Sequence, residues 1–107
     1  MELNLSDLFD MQRRLQERYI DKWGGLSAEI GRNKLLWALI ETGEAADIIK
    51  KRGDQAILND PAARHDFIEE IGDTIMYLIE ALQCYDVSPK EFAEIYRKKF
   101  ERNMNRW

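Results

Sequence analysis

Apolar residues recur every three or four positions along most of this chain and nowhere alternate with period two, so the pattern predicts helices and no strand. Leu8, Met11, Leu15, Tyr19 and Trp23 mark a first helix from about residue 6 to 22, capped by Asn4 with Asp7 or by Ser6 alone, and ended by Gly24-Gly25. A second helix starts near Ser27 and lasts to about Lys51, stopping at Arg52-Gly53-Asp54. A third follows Asp60-Pro61, a cap and a first-turn proline, and runs to about Tyr85. The fourth opens at Ser88-Pro89-Lys90-Glu91, where Glu91 stands at the capping-box position, and continues almost to Trp107. The linkers 24–26, 53–60 and 86–88 separate no domains. Residues 1–107 therefore read as one all-α domain, a four-helix, bundle-like protomer.

The two middle helices are long for so short a chain, each about 25 residues or ~37 Å. The third carries a wide apolar arc of Phe67, Ile68, Ile71, Ile75, Met76, Leu78, Ile79 and Leu82. One protomer buries one stripe per helix, so the arc predicts a homo-oligomer, a dimer with the second and third helices at the shared core.

Composition narrows the classes. The mixture, 45 % hydrophobic and 34 % charged, is that of a globular chain. No apolar run approaches the ~20 residues of a membrane span, and the opening MELNLSDLFD does not read as a signal peptide. The single Cys84 excludes a disulfide framework within the chain and a thiolate zinc site, and the expected compartment is the cytoplasm. A net charge of −4 makes a nucleic-acid polymer a poor partner. A bound cation can still reverse the local sign for a small anion.

Candidate chemistry lies in two related stretches. IETGEAAD places Glu41 and Glu44 around Gly43, and IEEIGDTI places Glu70 and Asp73 around Gly72. On the second helix Lys34, Trp37, Glu41, Glu44, Ile48 and Lys51 fall on one line; on the third, Asp66, Glu70, Asp73, Tyr77 and Glu80 or Ala81 do. Both lines border apolar stripes, Leu36, Leu39, Ile40 and Ile49 on one helix and Phe67, Ile71, Ile75 and Leu78 on the other. An antiparallel hairpin sets the four acids face to face. Each glycine costs about 1 kcal/mol against alanine in mid-helix, which close backbone approach would justify. Converging carboxylates suit Mg²⁺ or Mn²⁺. The only histidine, His65, lies outside the cluster, so no di-iron E-x-x-H pair exists. The bland alternative is a pair of solvated acidic faces. In the fourth helix Lys99, Asn103 and Arg106 share a face able to grip phosphoryl oxygens, or simply complement the helix dipole.

LLWALIETGEAAD, FIEEIGDTIMYL and KFERNMNR together resemble the MazG-like, all-α nucleotide pyrophosphohydrolases over residues 27–107. Relatives in that family include dCTP/dUTP pyrophosphatases and phosphoribosyl-ATP pyrophosphohydrolases. The resemblance implies Mg²⁺ on Glu41, Glu44, Glu70 and Asp73. It implies the phosphate tail on Lys99, Asn103 and Arg106, and a sugar or phosphate contact for Tyr77. It implies hydrolysis of a (deoxy)nucleoside triphosphate between the α and β phosphates, in a homodimer or homotetramer. One departure is Ile40, which stands where many members double the first acid; Glu69 doubles the second. Glu44 is the expected general base, Trp37 the expected base-stacking ring, and Lys34 a phosphate contact or a charge partner within its own helix. Two other readings stand beside this one: a phosphoribosyl-ATP pyrophosphohydrolase, and a non-catalytic helical interaction module.

Overall fold

A computed structural model describes residues 1–107 as six helices without a strand: α1 (Leu5–Arg18), α2 (Ile20–Trp23), α3 (Ala28–Arg52), α4 (Asp54–Asn59), α5 (Pro61–Cys84) and α6 (Pro89–Met104). The four long helices stand where the apolar period puts them. Their starts follow from local chemistry. Asn4 and Asp7 make a reciprocal capping box, with the Asn4 side chain accepting from the Asp7 amide at 2.8 Å and Asp7 from the Asn4 amide at 3.0 Å. Ser27 accepts from the Ile30 amide, Asp60 from that of Ala62, and Ser88 from that of Glu91. The Ser88 cap has no return bond from Glu91 and is only half a box.

Two short helices were not expected. The first helix does not reach residue 22 unbroken: Tyr19, at φ −110°, interrupts it, and α2 follows. The stretch 53–60 is not an open linker. Gly53, at φ 88°, turns the chain out of α3 in a conformation only glycine adopts easily, and α4 begins at the next residue. Ile57 then buries itself and anchors α4.

α3 and α5 form a long antiparallel hairpin. Arg52 pairs with Asp66 at 3.0 Å at one end, and the Tyr85 hydroxyl donates to the Ala28 carbonyl at 3.1 Å at the other. The close approach occurs at Gly31, where a Cβ would stand 2.8 Å from the Tyr85 ring and 2.9 Å from Cys84. Gly43 and Gly72 do not serve this purpose within the chain. A Cβ on either meets nothing within 4 Å, which corrects the reason expected for both glycines. α1 crosses α5 antiparallel: Gln83 donates to the Phe9 carbonyl at 2.9 Å, and Gln12 to Glu80 at 3.4 Å. α6 lies beside α1 alone, with Phe92 tilted against Phe9 at 6.5 Å, so the long helices do not close into a bundle in one chain.

The inner face of the hairpin carries small and polar residues, among them Gly31, Ala38, Glu41, Ala45, Glu70 and Ala81. The apolar stripes that border the acidic lines point outward: Leu36, Leu39, Ile40, Ile71, Ile75 and Leu78 are exposed, Leu39 at 69 %. On α1 the buried positions are Phe9, Gln12 and Gln16, while Met11 is exposed, as are Tyr19 at its end and Trp23 on α2. Only 12 residues are buried, too few for a finished core. The chain exposes 8367 Å², where a folded monomer of this mass exposes about 6,200 Å². Its radius of gyration is 16.1 Å, against about 13 Å for a compact domain of this length.

Candidate metal centre

The hairpin register places Glu41 and Glu44, one turn apart on α3, opposite Glu70 on α5. One carboxylate oxygen from each of the three lies within 4.8 Å of the others. Glu70 turns Oε2 inward, buried and without a hydrogen-bond partner. Nearby threonines do not help: Thr42 donates back to the Ala38 carbonyl at 2.8 Å and Thr74 to that of Glu70 at 3.1 Å. None of the chain's ion pairs supplies a cation to Glu41, Glu44, Glu70 or Asp73.

Uncompensated charge has a measurable consequence. The Glu41 pKa is pushed up to about 7, chiefly by its hydrogen bond to Glu70, then by burial and by the charges of Glu44, Glu70 and Asp73. Asp73 is raised by burial and by its neighbours Glu70 and Glu69. Its oxygens lie outside the three-carboxylate group, so the structure assembles three of the four expected acids tightly and sets the fourth at their edge. Burial also raises Tyr77, followed by the charges of Glu41 and Asp73.

Asp73 and Tyr77 also line a cavity of about 490 Å³ between α1, α3 and α5. Trp23, Lys34, Trp37 and Glu80 form more of its wall. Trp37 meets Tyr77 edge-on, ring centroids 5.8 Å apart. The Lys34 ammonium lies 4.9 Å from the Trp37 ring centre, 5.5 Å from that of Tyr77 and 5.7 Å from that of Trp23. Its ion partner is Glu80 across the hairpin at 3.4 Å, both side chains largely buried, rather than an acid on its own helix. Lys51, the other end of the expected line, is spent on Asp47 at 2.7 Å.

Three predicted residues are not brought to this place. Lys99 and Arg106 are exposed on α6 and form no ion pair, although the Arg106 guanidinium lies 5.1 Å from the Trp107 ring centre. Asn103 is half-buried, its Oδ1 lacking a partner. His65 stays at the surface between Asp66 and Glu69, each at 3.4 Å. Burial raises the Cys84 thiol pKa, which makes it a poor nucleophile.

Glu80 stands in the wall one turn beyond Tyr77, on the line its spacing predicts, and is spent on Lys34. Gln12 escaped the sequence reading. Gln12 stands on the buried stripe of α1 between Phe9 and Gln16, and polar residues there are invisible to a search for apolar period. No family model, curated protein or solved structure matches this chain.

Proposed function

We propose that the chain is a Mg²⁺-dependent nucleotide pyrophosphohydrolase that cleaves a (deoxy)nucleoside triphosphate between the α and β phosphates. The observation that carries this reading is the convergence of Glu41, Glu44 and Glu70 with no cationic partner, beside Asp73, which itself lines an aromatic-walled cavity. An all-oxygen donor set with one unpartnered buried oxygen fits a hard divalent cation. Glu41, Glu44, Glu70 and Asp73 would hold Mg²⁺, which when bound would neutralise triphosphate charge and lower the pKa of a water. Mn²⁺ satisfies the same donors.

The chain's own groups do the rest. Glu44 is the exposed member of the cluster and accepts the proton from the attacking water. Trp37 and Tyr77 hold the flat base. Lys34, fixed by Glu80 and three rings, contributes positive charge at the cavity wall. Lys99, Asn103 and Arg106 bind the leaving pyrophosphate. The working unit is a homo-oligomer, dimer or tetramer, because the outward apolar faces of α3 and α5 remain uncovered in one chain. No helix is long and apolar enough to cross a membrane.

Those same faces favour a second reading, a non-catalytic helical module that binds partners and needs no metal. A panel of nucleoside triphosphates, with phosphoribosyl-ATP included, incubated with Mg²⁺ and assayed for pyrophosphate separates the readings. Release that EDTA abolishes supports the enzyme and identifies its base; no release from any member leaves the module.

A further inference from the structure

We infer that Gln12 selects the base. The site takes a nucleotide whose base carries an amine at the position farthest from the sugar, cytosine or adenine, and rejects the keto bases uracil, thymine and guanine. The inference rests on the pyrophosphohydrolase reading for the place of the phosphates, and on the wall of the cavity between α1, α3 and α5 for its geometry.

The polar part of that wall is one chain of contacts. Glu80, buried, accepts from the Lys34 ammonium through Oε1 and from the Gln12 amide nitrogen through Oε2, each at 3.4 Å. A carboxylate paired with an ammonium offers only acceptor oxygens, so the Gln12 carboxamide turns its nitrogen toward it. Gln12 Oε1 is left over. The residue lines the cavity and is 5 % exposed, and this oxygen is buried without a partner. A buried acceptor in that state calls for a donor. Beside it, Lys34 keeps protons beyond the one it gives to Glu80. The two oxygens of one carboxylate therefore hold an acceptor and a donor side by side. The rest of the wall is flat or apolar, made by Trp23, Trp37, Tyr77, Leu15 and Met76, apart from Asp73 and the exposed Lys22.

Distance decides which part of a nucleotide reaches this pair. Asp73 and Glu80 lie on one face of α5, two turns or roughly 10 Å apart. With the α phosphate at the carboxylates, a sugar and a base beside Trp37 and Tyr77 fill that length. The far edge of the base then meets Gln12 and Lys34. In cytosine and in adenine that edge presents an amine next to an unprotonated ring nitrogen. The amine donates to Gln12 Oε1, and the ring nitrogen accepts from Lys34. Uracil, thymine and guanine invert both positions. Their carbonyl oxygen would face the Gln12 oxygen, and their ring N–H would face the ammonium, each without a complement. Sliding the base by one edge position to mend the match would draw the α phosphate away from Glu70 and Asp73.

Binding, measured apart from turnover, decides it. The chain is titrated calorimetrically, with Mg²⁺ present, with non-hydrolysable α,β-methylene triphosphates of deoxycytidine, deoxyuridine and the pyrimidin-2-one deoxynucleoside, which has no group at the far position. Deoxyadenosine against deoxyinosine repeats the comparison on the larger ring. The cytosine analogue should bind about tenfold tighter than the uracil analogue or better, with the pyrimidinone between them, and adenine tighter than hypoxanthine. Gln12→Met should bring the cytosine and uracil affinities together. Glu80→Gln, which lets the Gln12 amide turn over, should narrow the same ratio. The ligand series uses the unaltered chain, so it decides even where a variant fails to fold. An amine preference in binding, without pyrophosphate release from the cleavable nucleotides, upholds the selection and defeats only the enzymatic reading. Equal or keto-favouring affinities overturn the selection, and pyrophosphate release alongside them leaves the enzyme standing. A folded Gln12→Met chain that keeps the wild-type ratio overturns the assignment to Gln12, and no binding of any analogue overturns both readings.

Discussion

Glu41 and Glu70 face each other across the α3–α5 hairpin with carboxylate oxygens within 4.8 Å, and this contact, with burial and with Glu44 and Asp73 near, pushes the Glu41 pKa up to about 7. A site built this way binds a divalent cation and a proton in competition. Mg²⁺ binding should therefore tighten as pH rises from 5.5 to 8, and it should release a fraction of a proton near pH 7. Calorimetric titration in two buffers of different ionisation enthalpy measures that release. Glu41→Gln should bind Mg²⁺ weakly and release no proton, and a wild-type affinity independent of pH would remove Glu41 from the site.

The same shift acts on the metal-free fold. A carboxyl whose folded pKa lies above its usual 4.5 favours the folded chain while protonated. Its contribution is complete below about 4.5 and is lost as pH climbs through 7. Denaturant midpoints in EDTA should fall between pH 5 and pH 7.5, and the fall should be smaller in Glu41→Gln. Equal slopes in both proteins would mean that another group controls the decline.

Helix existence was legible because caps and apolar period are local: Asn4, Ser27, Asp60 and Ser88 each cap as their neighbours suggest. The pairing of Glu41 and Glu44 with Glu70 was legible too, since three-residue spacing and an antiparallel hairpin suffice to bring them together. Which face turned inward was not. Period identifies an apolar stripe without saying whether it packs on its own chain or on another, and Leu39 and Ile75 point outward. Gly43 and Gly72 were misjudged for that reason, as a Cβ on either would meet nothing within 4 Å in the chain. The direction of α6 was equally hidden, because it depends on Phe92 meeting Phe9, a contact between distant segments.

The outward stripes lead to an assembly prediction. Leu39→Glu puts a charge in the middle of the α3 face that the second copy would bury, where an unpaired carboxylate costs several kcal/mol. The variant should sediment as a monomer at concentrations where the wild type is a dimer or larger, and it should melt at lower temperature. A Leu58→Glu control, also exposed but on α4, should change neither. A monomeric wild type would contradict the assembly directly.

Replacing Asp73 by Asn keeps the shape of the side chain and removes one charge from the edge of the cluster. Circular dichroism should be unchanged while Mg²⁺-dependent pyrophosphate release falls at least tenfold at saturating metal. Activity above about a tenth of wild type would show that Glu41, Glu44 and Glu70 suffice without it.

Glu44→Gln separates repulsion from ligation. In the metal-free chain the Glu44 charge opposes that of its neighbours and is one cause of the raised Glu41 pKa. Removing it should leave the EDTA-treated protein as stable as wild type or more so. Mg²⁺ binding to the native state alone stabilises by RT ln(1 + [L]/Kd), about 2.7 kcal/mol at a hundredfold excess over Kd. The variant should show a smaller metal-induced rise in Tm, because one ligand oxygen donor is a neutral amide. Melting curves of both proteins in EDTA and in millimolar MgCl₂ at constant ionic strength give the two differences. Solvated acidic faces would give neither, since Mg²⁺ would then act only by screening and shift both proteins equally. A wild type that responds to Mg²⁺ only with a non-hydrolysable triphosphate analogue present would place metal binding after substrate binding, with phosphate oxygens completing the coordination that Glu41, Glu44 and Glu70 begin.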